Sequence, residues 1–487
     1  MSERGPTLRS LLEGLADVPA GDWPPIGGLC LDSRQVRPGD LFVALAGRSG
    51  HGMAYAYQAR ENGAVAMVHD GRSAPPGDLG LPELAVPGLL RHLPMLARRF
   101  WGETVDRLDL VAVTGTNGKS SIAWLLAQAL DGAMIGTLGS GRPGRHQPGS
   151  LTTPDIFGVY RRLAELAGQG IERVVLEASS HALDQGRLEG LAFTSTIFTN
   201  LGHDHLDYHG DRAAYGAAKA RLFTDFDSRR RLINLDDDFG RTLAAGLPKD
   251  GRLIGFSLAG DPEARAGAAL LTADMTGLTA RFELEDGSFE AHSKLIGRIN
   301  LWNLLIVAAE LAARGHDSKA IAGTLAGLQP VPGRMEAIGR DGAPLAIIDY
   351  AHTPDALESA LMSARELGSG TLWCVFGCGG DRDREKRPRM GRLAERLADR
   401  VVLTDDNPRS EDGLSIIRAI QAGMNQPQRS IVIRDRARAI AHALSGSEAG
   451  DIVLVAGKGH ETDQVIGDER LPCDDHVSVR EALGVAA

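Results

Sequence analysis

The stretch LVAVTGTNGKSS, from Leu110 to Ser121, leaves this chain few folds to choose from. An apolar run with strand character breaks at Gly115 and Gly118, and the following SIAWLLAQAL has the apolar spacing of a helix. Strand, tight glycine turn and helix in that order make a phosphate cradle, because backbone amides converge on phosphate oxygens at a helix N-terminus. Lys119 is expected to reach the outer phosphates, and the Ser120 hydroxyl to ligate a nucleotide-bound magnesium ion. The usual spacing, GxxxxGK[ST], requires glycine at position 113, where this chain has Val113. The loop is a variant, which argues against a generic GTPase or motor.

At 487 residues, of which 43% are hydrophobic, the chain has the length of about three domains and enough apolar residues to give each a core. The formal charge of -10 argues against a general nucleic-acid binder but allows a local basic patch for a phosphorylated small molecule. No apolar run reaches membrane-spanning length, and the opening MSERGPTLRSLLEGLADVPAGDWPP lacks the apolar core of a signal peptide. A cytoplasmic chain without membrane insertion is expected. Cys30, Cys374, Cys378 and Cys473 are few for this length and read as reduced packing residues.

Three blocks follow one another. Residues 1–105 form a Gly/Pro-punctuated α/β segment with short apolar runs at LFVALAG and AVAMV. Residues 106–330 alternate strands (VAVTG, VVLEA, STIFTN, RLINL) with helical stretches such as GVYRRLAELAGQG. That alternation predicts a mostly parallel, phosphate-loop ATPase-like sheet with its site at the strand C-terminal ends. Residues 331–487 repeat the alternation with LAIIDY, TLWCVFG, RVVLTD, SIVIRD and DIVLVAG, predicting a second open, Rossmann-like α/β sheet. The fold class is thus α/β in three domains.

Polar clusters fall at the predicted strand ends. Glu177 closes VVLE, where a carboxylate is well placed to hold magnesium. In TNLGHDHLDYH, the residues His203, Asp204, His205, Asp207 and His209 crowd one loop and suggest a metal or phosphoryl site with one ligand among them. Nitrogen donors bring zinc into consideration, although no HExxH or paired CxxC arrangement favours it. Lys219 reads on its own as a solvated cation.

TGTNGKSS, LTTPD, EASSHAL, TNLGHDHLDYHG, YGAAKARLF, PGRME, DYAHTPDAL, GCGGDRDREKRP, TDDNPRS and AGKGHE stand in the order found in the Mur ligases, which the chain resembles over most of its length. The resemblance implies ATP-driven phosphorylation of a substrate carboxylate and attack of an amine on the acyl phosphate, chemistry that needs charge neutralisation and positioning. Within the family the motifs are nearest the branch that adds meso-diaminopimelate to UDP-N-acetylmuramoyl-L-alanyl-D-glutamate. A lysine-adding Mur ligase is the alternative, and a folylpolyglutamate-type ligase a more remote one.

By resemblance, Gly115, Thr116, Asn117, Gly118, Lys119, Ser120, Ser121, Asn300, Asn303, Arg334 and Asp349 surround ATP. Ser120, Glu177 and His205 are implied metal ligands, joined by Lys219 as an N6-carboxylated (carbamylated) lysine; Lys119, Lys219 and His205 carry the catalytic roles. Ser33, Thr152, Thr153, Ser179, Gln185 and Arg187 match residues that hold the UDP-muramoyl dipeptide. Arg382, Asp406, Asn407, Pro408, Arg409, Gly457 and Glu461 are implied contacts of diaminopimelate, Arg409 offering a planar fork for its second carboxylate. Magnesium as cofactor, ATP as co-substrate and a monomeric enzyme complete the expectation.

Overall fold

The structure is a computed structural model that describes the chain except for residues 1–5, 19–22, 48–49, 74–76, 150, 341 and 486–487. Parts of the opening segment, read above for a signal peptide, lie outside the described residues. Among those that are described, no helix is long and apolar enough to cross a membrane. The chain forms two compact units, the first from residues 1–114, 130–196 and 217–229 and the second from 115–129, 197–216 and 230–487.

In the first unit, four parallel strands, Gly28–Cys30, Asp40–Ala44, Ala66–His69 and Glu83–Ala85, lie side by side in chain order. A second set places Arg173–Glu177 between Asp109–Thr114 and Ala133–Gly136, all parallel, so that Glu177 ends a central strand. Two short antiparallel strands, Gly139–Arg142 and Arg145–Gln147, extend its edge.

In the second unit, which takes in all but the first two residues of Ser228–Asn234, that strand runs parallel to Leu253–Ser257 and Ala266–Asp274, and Gly277–Leu284 and Gly287–Ser293 continue as an antiparallel meander. The C-terminal sheet has the order Glu336–Ile338, Leu345–Asp349, Ile452–Ala456, Leu372–Phe376, Arg400–Leu403, Ile431–Val432, and only its first pair is antiparallel. Its central strands Ile452–Ala456 and Leu372–Phe376 are apolar and buried throughout because both faces are covered. Leu357, Leu361, Met390, Ile416 and Ile420 pack one face, and Ile440, Ala443, Leu444, Val479 and Leu483 the other. This doubly wound arrangement gathers the loops 350–352, 377–382, 404–409 and 457–461 at one sheet edge, the C-terminal ends of the strands.

Candidate active site

The predicted strand and helix around the phosphate loop are present as Asp109–Thr114 and Lys119–Ala129. Gly115 and Gly118 take φ values of 150° and 85°, which side chains rarely adopt. A Cβ on Gly115 would also fall 1.8 Å from the Thr199 hydroxyl. That hydroxyl donates to the Asn117 carbonyl at 2.6 Å, and the Asn117 amide donates to Asn200 Oδ1 at 3.0 Å. The Thr116 hydroxyl accepts from the Gly202 amide at 2.9 Å. The loop is therefore held from outside by Thr199, Asn200 and Gly202. Lys119 Nζ donates to the carbonyls of Gly115 and Thr116, both at 2.9 Å, so its cation lies across the loop that the sequence marks for phosphate.

Arg334 approaches the start of the same helix, its Nη2 being 3.4 Å from Ser120 Oγ. Its guanidinium lies over the Tyr350 ring at 4.2 Å, and its buried Nε has no hydrogen-bond partner. Asp349 holds this residue's neighbour: its carboxylate accepts the Met335 and Ala351 amides, both at 2.8 Å, with Met335 fixed at a φ of 46°. Burial pushes the Asp349 carboxyl up, against the pull of Arg334 and the two amides. Asn300 and Asn303 are buried and bonded to each other at 2.8 Å, and a Cβ on Gly118 would stand 3.8 Å from Asn303 Oδ1.

His205 is half exposed with a left-handed φ of 54°, and its Nε2 is 3.5 Å from Asp204 Oδ2. Burial would raise the Asp204 carboxyl, but His205, His352 and Lys119 hold it below the usual range. Burial, aided by Lys386, pushes the His352 imidazole down to about 4. Among the described residues, no three His, Cys, Asp or Glu side chains gather as a metal-holding group, so residues 203–209 are not a self-contained zinc centre.

In the first unit, Glu177 is fully buried, its carboxylate accepting the Thr137 amide at 2.8 Å and the Thr137 hydroxyl at 3.2 Å. A Cβ on Gly136 would lie 2.1 Å from Glu177 Oε1, so glycine there leaves the carboxylate its room. The Thr137 and Thr152 hydroxyls are 2.9 Å apart. Thr153 donates to the Glu177 carbonyl at 2.6 Å, and Ser179 caps the helix Ser180–Asp184. Arg187 donates to the Thr153 carbonyl and to Gln185 Oε1, both at 2.6 Å. These residues thus form one network with Glu177. Ser33 lies apart from it, donating to Gln58 at 2.6 Å. A cavity of about 460 Å³ runs between the exit of the first N-terminal strand, at Leu31, Gln35 and Arg37, and Leu151, Pro154 and Asp155 of the LTTPD loop. Lys219, expected on sequence physics to be solvated, is 1% exposed.

The implied acceptor residues meet at the edge of the C-terminal sheet. Arg409 has a φ of 54°; its amide donates to Val465 O at 2.9 Å, and its Nη1 to Gly380 O at 2.8 Å. A Cβ on Gly380 would lie 1.8 Å from the Pro408 carbonyl, so that loop must be glycine to approach NPR. Asn407 Nδ2 donates to Glu461 Oε2 at 2.9 Å, and a Cβ on Gly457 would stand 2.6 Å from Asp406 Oδ2. Arg382 is exposed. The PGR loop packs on GKGH so closely that a Cβ on Gly333 would lie 2.3 Å from the Gly459 carbonyl carbon.

Residues 25–90 match the family model described as Mur ligase family, catalytic domain; 113–311 match the Mur ligase middle domain, and 333–459 the Mur ligase, glutamate ligase domain. The chain belongs to the Mur ligase family. A UDP-N-acetylmuramoyl-L-alanyl-D-glutamate--2,6-diaminopimelate ligase from Alkalilimnicola ehrlichii is 48% identical to this Mur ligase, covering 98% of each chain. A protein of the same name from Xanthomonas oryzae pv. oryzae is 45% identical over 97% of each. A solved structure of a ligase so named, at 36% identity, aligns with a TM-score of 0.68 over 99% of both chains. As a Mur ligase the chain is an ATP-dependent, peptide-forming enzyme.

Several residues of this Mur ligase escape sequence reasoning. Thr199 and Asn200 looked like the edge of a metal loop, yet they brace the phosphate loop. Tyr350 stands between Arg334 and Glu461, its hydroxyl 3.5 Å from Glu461 Oε1. Lys458 is wholly buried, and its only sequence signal is a lysine between two glycines in AGKGHE.

Proposed function

We propose that this Mur ligase joins meso-diaminopimelate to UDP-N-acetylmuramoyl-L-alanyl-D-glutamate in the cytoplasm, acting as a monomer with domains at 1–105, 106–330 and 331–487. The observation that carries the reading is Arg409, whose backbone is pinned by Val465 and whose guanidinium is steadied on Gly380 O, in the same loop as Asp406 and as Asn407, which bonds Glu461. A fixed guanidinium suits the second carboxylate that distinguishes diaminopimelate from lysine, and the nearby acids suit its ammonium groups. The relatives that bear this activity in their names cover nearly the whole chain.

The substrate carboxylate takes the γ-phosphoryl group of ATP and releases ADP. The acceptor amine then attacks the acyl phosphate, and the tetrahedral intermediate collapses to amide and phosphate. Lys119 supplies positive charge where the transferred phosphoryl group needs it, and Arg334 and the loop amides steady the nucleotide. Thr152, Thr153, Ser179, Gln185 and Arg187 are proposed to hold the muramoyl dipeptide, with Ser33 near its uracil.

Ser120, Glu177 and a carbamylated Lys219 would each offer magnesium a hard oxygen donor, and His205 would offer a further ligand. When bound, the ion offsets phosphate charge. The burial of Lys219 supports the carbamate, since desolvation disfavours the charged ammonium and carbon dioxide adds to the neutral amine. The deciding experiment supplies purified protein with UDP-muramoyl dipeptide, ATP and magnesium, and offers meso-diaminopimelate or L-lysine in separate reactions. A product mass showing diaminopimelate ligation with ADP release is expected; preference for lysine would reassign the acceptor.

A further inference from the structure

Lys458 is 0% exposed and lies between Gly457 and Gly459, whose φ values are 114° and 53°. The glycines let the chain reverse on both sides of the lysine, so that its side chain turns into the protein. Its Nζ meets three acceptors: Asp463 O at 2.5 Å, Glu461 Oε2 at 3.1 Å and Asn407 Oδ1 at 3.3 Å. An ammonium has three protons, and each has a partner here.

Two of those partners are implied acceptor contacts, and the lysine fixes how both are presented. Asn407 Oδ1 also accepts the Val465 amide at 3.0 Å, a donor that cannot be reversed, so the NH₂ end of Asn407 must face Glu461. Glu461 Oε2 then receives both Lys458 Nζ and Asn407 Nδ2, while the Glu461 side chain keeps 30% of its surface open. Oε2 is thus held by two donors, Oε1 lies 3.5 Å from the Tyr350 hydroxyl, and the exposed part of the side chain is left for a ligand. We propose that Lys458 is a positioning residue for the acceptor amino acid, acting through Glu461 and Asn407 to hold a correctly aimed carboxylate toward an ammonium group of the diamine. This rests on the acceptor site proposed above.

A double-mutant cycle on the full chain, with Lys458→Met, Glu461→Gln and the double variant, tests it. The acceptor that the wild type ligates is established first; use of lysine alone would overturn the functional reading but leave the cycle to be run with lysine. Each single change is expected to raise the acceptor KM about tenfold, with kcat at saturation and the ATP KM within about twofold of wild type. In the Glu461→Gln background, Lys458→Met should cost less than about twofold more, because the route through Glu461 is already gone and the Val465 amide still orients Asn407. Multiplying effects, an unchanged acceptor KM, or an ATP KM that rises equally would overturn the proposal. Should Lys458→Met not fold, the double variant, which buries no unpaired carboxylate, is compared with Glu461→Gln: equal acceptor KM supports the proposal, and a tenfold gap overturns it. Loss of the cooperative thermal transition in both would assign Lys458 a purely structural role instead.

Discussion

Arg334 and Ser120, 214 positions apart in the chain, meet with Nη2 3.4 Å from Oγ, while the guanidinium rests on the face of Tyr350. The contact brings the third sequence block to the first turn of the phosphate-loop helix. Arg334→Lys keeps the charge but loses the planar fork and the stacking, so the ATP KM should rise by about tenfold or more with little change in the acceptor KM. Steady-state kinetics with each substrate varied in turn checks this, and an unaltered ATP KM would refute it.

Lys119→Ala should abolish ligation and leave the fold intact. The change removes a cation from phosphates whose charge develops during transfer, and deletes two bonds to the Gly115 and Thr116 carbonyls, in a loop that Thr199 and Asn200 also restrain at Asn117. A well-folded variant, judged by circular dichroism, with near-normal turnover would remove Lys119 from the site.

For Arg409→Ala the loss of a desolvated, charge-assisted pair should cost on the order of 2–5 kcal/mol in kcat/KM for diaminopimelate, one to several decades. Selectivity over L-lysine should fall with it. A variant as selective as wild type would show that another group reads the second carboxylate.

Lys219→Ala should lose more activity than Lys219→Glu, since glutamate restores an anionic oxygen donor, though on a shorter stem. Electron density in an active, substrate-bound crystal is the direct check. An ordered, unmodified lysine there would exclude the carbamate.

His476 predicts an alkaline limit to stability. Its Nε2 is 2.7 Å from Glu336 Oε2 and its Nδ1 3.3 Å from Asp474 Oδ1. Burial disfavours the charged ring, but the two carboxylates outweigh it and raise the pKa from 6.5 to about 9. A raised histidine stabilises fully below the unfolded value and loses that contribution as pH climbs through the folded one. The loss should therefore run from about pH 6.5 to above 9 and reach up to about 3 kcal/mol. His476→Gln should flatten the fall in Tm over that range; an identical fall in both proteins would rule the clamp out.

The phosphate loop was legible because a glycine turn between an apolar strand and a helix is a local signal. What braces it was not, since Thr199 reaches Asn117 only after distant strands align. The mostly parallel sheet expected of residues 106–330 has an antiparallel meander at 266–293, although Asp286-Gly287 was a hairpin signal in plain view. SIVIRD contributes only Ile431–Val432 to its sheet edge, where one neighbour rather than two leaves less to hold a long strand. Lys219 shows the limit most sharply: nothing in AAKAR distinguishes a buried lysine from a solvated one, because burial is decided by what packs over it.

The close approach of Gly333 to Gly459 limits how this enzyme can be redesigned. One loop carries Arg334 to Ser120 at the start of the phosphate-loop helix, the other carries Lys458 and Glu461 of the proposed acceptor site, and not even a methyl group fits between them. A new amino-acid specificity that needs a bulkier or shifted GKGH loop must therefore reshape the Arg334 loop as well, so the two proposed substrate preferences are not separately tunable parts.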